Sequence, residues 1–125
     1  MILLLDTNAL IGWLADDGSL SEAAAEAIRS PLNDVVASAA AVWEIEIKRA
    51  RGTLRAPADV VETVERAGFS TIPILATDAV RAARLPPHHR DPFDRMLIAQ
   101  AFRLDAIIVT RDPAFTAYGV PLLTA

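Results

Sequence analysis

Ile2-Leu3-Leu4-Leu5-Asp6-Thr7-Asn8 opens the chain with an unbroken apolar run closed by an acid. A strand that reads as continuous apolar, rather than alternating, belongs in a parallel sheet covered on both faces. In such open sheets ligands bind outside the carboxyl ends of the strands. Asp6 stands at that end. The pattern returns near the other terminus, where the apolar residues 106–110 run into Arg111 and Asp112.

Working outward, further apolar runs at 35–37, 71–74 and 120–123 are the remaining strand candidates. Helical patterns fill the gaps at 9–14, 21–30, 58–67 and 78–85. Asp91-Pro92 is a strong helix start, with Asp as N-cap and Pro at the first helical position. Asp112-Pro113 repeats it. Residues 39–51 carry two signals. Trp43-Glu44-Ile45-Glu46-Ile47-Lys48 alternates like a strand, while Ala39, Val42, Trp43, Ile47 and Ala50 form a helical stripe. Ser38 suits an N-cap and Gly52 the residue after a helix end, so a helix is predicted. Strands alternating with helices give an α/β domain, a central and mainly parallel sheet flanked by α-helices.

The chain has 125 residues, the size of one domain spanning 1–125, and 53% of them are hydrophobic, ample for a core. There is no cysteine, which excludes disulfides and thiol nucleophiles and fits a reducing cytoplasm. The apolar opening is too short for a signal core, and no stretch reaches the roughly 20 apolar residues of a membrane helix. The net charge of −4 argues mildly against a general nucleic-acid coat. Lys48, Arg49, Arg51 and Arg55 nevertheless form a local basic run, suited to phosphate or to a helix C-terminus.

Asp6, Glu44, Asp94 and Asp112 are the residues on which a function rests. Each has an ordinary structural role available. Asp6 and Asp112 are good caps, Glu44 is placed to pair with Lys48 at i, i+4, and Asp94 falls in a first turn that favours negative charge. Asp91 reads as structural. Brought together, the four repel. Two like charges at 4 Å cost roughly 1 kcal/mol in bulk water and about 4 at an effective dielectric of 20. A divalent ion such as Mg²⁺ or Mn²⁺, which prefers oxygen ligands, is the simplest offset. His88 and His89 lie in the Pro86-Pro87 loop, where a solvated position is expected.

Residues 4–10, Ser38 through Lys48, the stretch Asp91-Pro92-Phe93-Asp94-Arg95-Met96-Leu97-Ile98-Ala99-Gln100-Ala101, and Val109-Thr110-Arg111-Asp112 together resemble a PIN domain of the VapC toxin type. That resemblance implies a PIN-like fold and a metal-dependent endoribonuclease. It implies that Asp6, Glu44, Asp94 and Asp112 are catalytic and hold Mg²⁺ or Mn²⁺, with Thr7, Asn8 and Thr110 as supporting polar residues. It also implies an RNA substrate, inhibition by a cognate antitoxin protein and a homodimer. Arg49, Arg51, Arg90, Arg95 and Arg111 are the expected RNA path. Leu10, Trp13, Leu14 and Ile45 are the expected exposed patch of a dimer.

Two other readings compete. A haloacid-dehalogenase-like phosphotransferase would use Asp6 as nucleophile, but it wants a second Asp where Asn8 stands and a suitable lysine, and only Lys48 exists. A non-catalytic interaction module would use the acids as caps and surface charge alone.

Overall fold

The computed structural model describes residues 1–125. Strands β1 (Ile2–Leu5), β2 (Asp34–Ser38), β3 (Ser70–Ile72), β4 (Ile107–Thr110) and β5 (Leu122–Thr124) form one sheet in the order β3-β2-β1-β4-β5. Every pairing is parallel. Helices α1 (Thr7–Ala15), α2 (Glu22–Arg29), α3 (Ala39–Ala50), α4 (Val60–Arg66), α5 (Ala76–Arg84) and α6 (Pro92–Leu104) connect them, with a 3-10 helix at Pro113–Tyr118.

The winding reverses at β1. The chain moves outward through β2 and β3, then returns to lay β4 against the other side of β1. That reversal opens a crevice between the carboxyl ends of β1 and β4, the place where open α/β sheets bind ligands. Leu5 registers with Val109, so the residues after these two strands emerge side by side.

Successive strand residues feed two cores, as the period of two requires. Leu3, Leu5 and Val109 pack with Leu10, Ile45, Val64 and Phe69 on one face. Leu4, Val36 and Ile108 pack with Leu97, Ile98 and Phe115 on the other. Burial on both faces is why these strands are continuously apolar. No helix is long and apolar enough to cross a membrane.

Residues 39–51 are helical, as the stripe and the end signals predict, with Ser38 Oγ accepting from the Ala40 N–H at 3.0 Å. Ser38 also donates to Gln100 Oε1 at 2.6 Å, a buried link between the end of β2 and α6. Both edge strands shift from their expected bounds, and proline is the reason. Pro73 ends β3 early, and its carbonyl serves Gln100 and Arg103 instead of a ladder. Pro121 delays β5, although its carbonyl accepts from Ile108 N. Proline cannot donate to a ladder. Val120, expected in that strand, is a core residue just before it. Helix α5 begins ahead of its expected start, because the Asp78 carboxylate caps the Leu75 N–H at 2.9 Å.

The expected dimer patch is not exposed. Leu10 and Ile45 are core residues, while Trp13 and Leu14 are half-buried against the same core. On α1 and α3 these residues pack into the core of the monomer, so the apolar patch expected at an interface is a packing face.

Candidate active site

Asp6 follows β1 and performs two tasks. Its Oδ1 accepts from the Ala9 N–H at 2.8 Å and caps α1. Its Oδ2 accepts from the Thr110 hydroxyl, at the end of β4, at 2.5 Å. The cap reading and the site reading are thus both true of the same carboxylate. Asp6 is 6% exposed. Burial pushes its pKa up, the Thr110 and Ala9 hydrogen bonds pull it down, and the charges of Asp112 and Glu44 push it up again.

Glu44 lies on the face of α3 turned toward this crevice and is 7% exposed. Thr7 donates to its Oε1 at 2.5 Å, and the Lys48 ammonium lies 3.1 Å from Oε2. The pairing with Lys48 is present, but it does not hold Glu44 at the surface.

Asp94 stands at the third position of α6. Asp91 Oδ1 caps that helix by accepting from Phe93 N at 2.9 Å and Asp94 N at 3.4 Å, which leaves the Asp94 carboxylate free of the cap. The Asp94 pKa is pushed up to about 7. Burial is the main cause; the Asp91, Glu44 and Asp6 charges add to it, and His89 opposes it. Asp112 caps the 3-10 helix through Oδ1, accepting from Ala114 N at 2.9 Å, and its own N–H donates to Thr110 Oγ1 at 3.1 Å. Thr110 therefore ties Asp6 and Asp112 together.

The structure corrects one expectation at the centre of the site. His89 is not solvated; its side chain is 13% exposed, and Nε2 lies 2.9 Å from Asp94 Oδ2 and 3.1 Å from Asp112 Oδ2. Nδ1 accepts from the Asp91 N–H at 3.2 Å, so Nε2 carries the hydrogen that faces the two carboxylates. The loop is held by Tyr118, whose hydroxyl accepts from His89 N and donates to Pro86 O, each at 2.7 Å. Arg95 holds it from the other side, donating to the carbonyls of Ala82, Leu85, Pro86 and His89. His88 remains exposed, its ring against Tyr118.

Arg95, expected on an RNA path, is thus committed to anchoring this loop. Arg49 is likewise engaged by Glu46 and by the carbonyls of Ala56 and Pro57, and Arg111 donates to the Ser19 carbonyl. Arg51 and Arg90 are exposed and make no side-chain bond. Thr7 and Thr110 join the site as expected. Asn8 is exposed beside Asp6 and Arg111, in a cavity of about 280 Å³, and bonds to neither.

One ligand atom from each of His89, Asp94 and Asp112 falls within 4.8 Å of the others. Asp6 and Glu44 lie outside that trio, though their charges reach Asp94. The surrounding donors are mainly carboxylate oxygen, the chemistry of a hard divalent cation. Burial first, and the neighbouring acids second, favour a proton or a cation at Asp94.

Fold and site together define a doubly wound α/β domain with an acidic centre at its topological switch point. The PIN domain family profile matches residues 3–121, and the chain belongs to that family. Its solved structural neighbours include the toxins of toxin–antitoxin complexes. DNA-bound VapBC from Salmonella typhimurium aligns at 16% identity with a TM-score of 0.72, covering 98% of this chain and 97% of that one. VapBC2 from Rickettsia felis, bound to a promoter DNA fragment, aligns at 14% with a TM-score of 0.69, covering 98% of each chain. VapBC-5 from Mycobacterium tuberculosis aligns at 22% with a TM-score of 0.64, covering 99% and 98%. No curated protein sequence matches the chain. The family displaces the phosphotransferase reading, and Lys48 is committed to Glu44.

Proposed function

We propose that residues 1–125 act as a single PIN domain and form a divalent-metal-dependent endoribonuclease, the toxin of a toxin–antitoxin pair. The observation that carries this reading is the convergence of Asp6, Glu44, Asp94 and Asp112 beyond β1 and β4. The burial of Asp6 and Glu44 argues against the non-catalytic module, whose acids would be caps and surface charge.

Asp6, Glu44, Asp94 and Asp112 would hold Mg²⁺ or Mn²⁺. Such an ion lowers the pKa of a water and clamps a phosphodiester for in-line attack. The protein's own groups prepare the site. Thr110 favours the ionised form of Asp6, and Thr7 with Lys48 fixes the orientation of Glu44. His89 Nε2 donates to Asp112 and lies 2.9 Å from Asp94, which sets the spacing of the two acids. Arg51 and Arg90, unpaired at the rim, are left for substrate phosphate.

The neighbours' toxin–antitoxin complexes support a cognate antitoxin as protein partner. A homodimer remains part of the proposal, on a different surface from the one expected. Ile74, Leu75 and Val80, at and along α5, are the exposed apolar residues it would use. Sedimentation of the antitoxin-free chain and of Val80→Glu tests that surface.

The function is tested by incubating purified, antitoxin-free protein with cellular RNA. Cleavage with Mg²⁺ or Mn²⁺, its loss in EDTA, and its loss in Asp94→Asn are expected. Cleavage that survives EDTA unchanged would overturn the proposal. Expression in bacteria should arrest growth, and Glu44→Gln should relieve the arrest.

A further inference from the structure

A groove of about 430 Å³ runs between α3 and the start of α6. Glu44 lines it and joins it to the acidic centre, and Lys48, Arg51, Arg90, Asp91 and Phe93 line it too. Trp43, the neighbour of Glu44 on α3, packs against Phe93 with ring centroids 5.2 Å apart and planes 69° apart. This is an edge contact, and Trp43 remains 60% exposed. A large aromatic ring is thus held by one flank and open to solvent, with two unpaired guanidinium groups on the adjoining groove.

Resting on the nuclease reading, we propose that Trp43 and Phe93 form a stacking platform for an unpaired nucleobase next to the scissile phosphate. Arg51 and Arg90 take the adjoining phosphates of the same strand. Exposed aromatic rings alternating with cations are the composition of single-strand binding grooves, because every base offers a π-face and every nucleotide a charge. In a duplex the base faces are already stacked on one another, so only a loop, bulge or end presents one. The charge pattern fits this occupant. The carboxylates alone would repel a phosphodiester, and Arg51 and Arg90 offset that repulsion on the side where the strand would enter. Arg49, Arg95 and Arg111 do not contribute, being bound to main-chain carbonyls.

The composition sets up a direct optical test, since the chain has 2 tryptophans. In Trp13→Phe, Trp43 is the sole tryptophan. Its fluorescence should be quenched by an unpaired oligoribonucleotide, weakly by the same strand annealed to its complement, and not by an abasic strand of equal length. In Mg²⁺-dependent cleavage, Trp43→Ala should raise KM about tenfold, the loss of one stacked base, with kcat nearly unchanged. Trp43→Phe should restore most of that loss. If wild type cleaves RNA while the abasic strand quenches equally, or Trp43→Ala leaves KM unaltered, the platform is refuted and the nuclease reading stands. If wild type cleaves nothing yet the quench discriminates base from abasic, the platform stands and the nuclease reading falls. If Trp43→Ala dissociates a dimer or abolishes antitoxin binding without changing KM, the face belongs to a protein partner and the inference is wrong.

Discussion

His89 Nε2 lies 2.9 Å from the Asp94 carboxylate, and the same nitrogen reaches Asp112 at 3.1 Å. One imidazole nitrogen thus stands between an acid on α6 and an acid after β4. The ring is fixed by Asp91 N–H at Nδ1 and by the edge of Phe115, 5.6 Å away. Polar groups that orient candidate metal ligands in this way typically matter by about 10- to 100-fold. His89→Ala should therefore lower Mg²⁺-dependent cleavage within that range and leave the circular dichroism spectrum unchanged. Wild-type activity in His89→Ala would show that the bridge is incidental.

The Asp94 pKa gives a stability prediction for the metal-free protein. The folded value is about 7 against an ordinary 3.8. The native state therefore holds this proton more tightly than the unfolded chain. The stability that goes with it is full below about pH 4 and is lost as pH rises toward 7. In EDTA, the melting temperature should fall between pH 5 and pH 8, Asp94→Asn should flatten that fall, and saturating Mg²⁺ should reverse it. A melting temperature that rises with pH in EDTA would contradict a buried Asp94 that holds its proton in the folded state.

Thr110→Val removes the hydroxyl that donates to Asp6. That bond pulls the Asp6 pKa down, against burial, so its loss lets the value climb. The acid limb of the pH–rate profile for RNA cleavage should move to higher pH, and Mn²⁺ should bind about tenfold less tightly, the scale of a hydrogen bond to a charged group. An unshifted acid limb would remove Thr110 from the site.

A control lies away from the carboxylates. Arg103 donates to both oxygens of buried Asp78, at 2.8 and 3.0 Å. Arg103→Ala strands that carboxylate and should cost roughly 3 kcal/mol, the lower end for a broken buried pair. Cleavage at 20 °C or so by the remaining folded protein should be unchanged. A loss of kcat without a loss of stability would mean that this end of α6 communicates with the site.

The parts of the fold legible in the sequence are those where local chemistry and tertiary structure agree. β1 and β4 are buried on both faces, so their apolar runs are unbroken, and the acids that follow them sit where a parallel sheet opens. Asp91-Pro92 marks the start of α6 and so puts Asp94 in its first turn. What the sequence hides depends on contacts distant along the chain. His89 looks solvated beside prolines, while Tyr118 and Arg95 hold its backbone and turn the loop inward. Arg95 reads as a surface cation until the carbonyls of the preceding loop are seen around it. Leu10 and Ile45 read as an exposed patch and are core, because apolar residues on a helix do not say what they face. The Asp91-to-Arg95 stretch held a usable signal for His89, since a capped helix start next to a histidine brings that ring near the first turn.

The central claim is that Asp6, Glu44, Asp94 and Asp112 form one divalent-cation site, and Mn²⁺ titration calorimetry on the antitoxin-free protein tests it most directly. Saturable binding is expected in the wild type, weakened at least tenfold in both Asp6→Asn and Asp94→Asn, and retained in Asp91→Asn, since Asn caps a helix nearly as well as Asp. Equal Mn²⁺ binding by wild type, Asp6→Asn and Asp94→Asn, or none by the wild type, would contradict it.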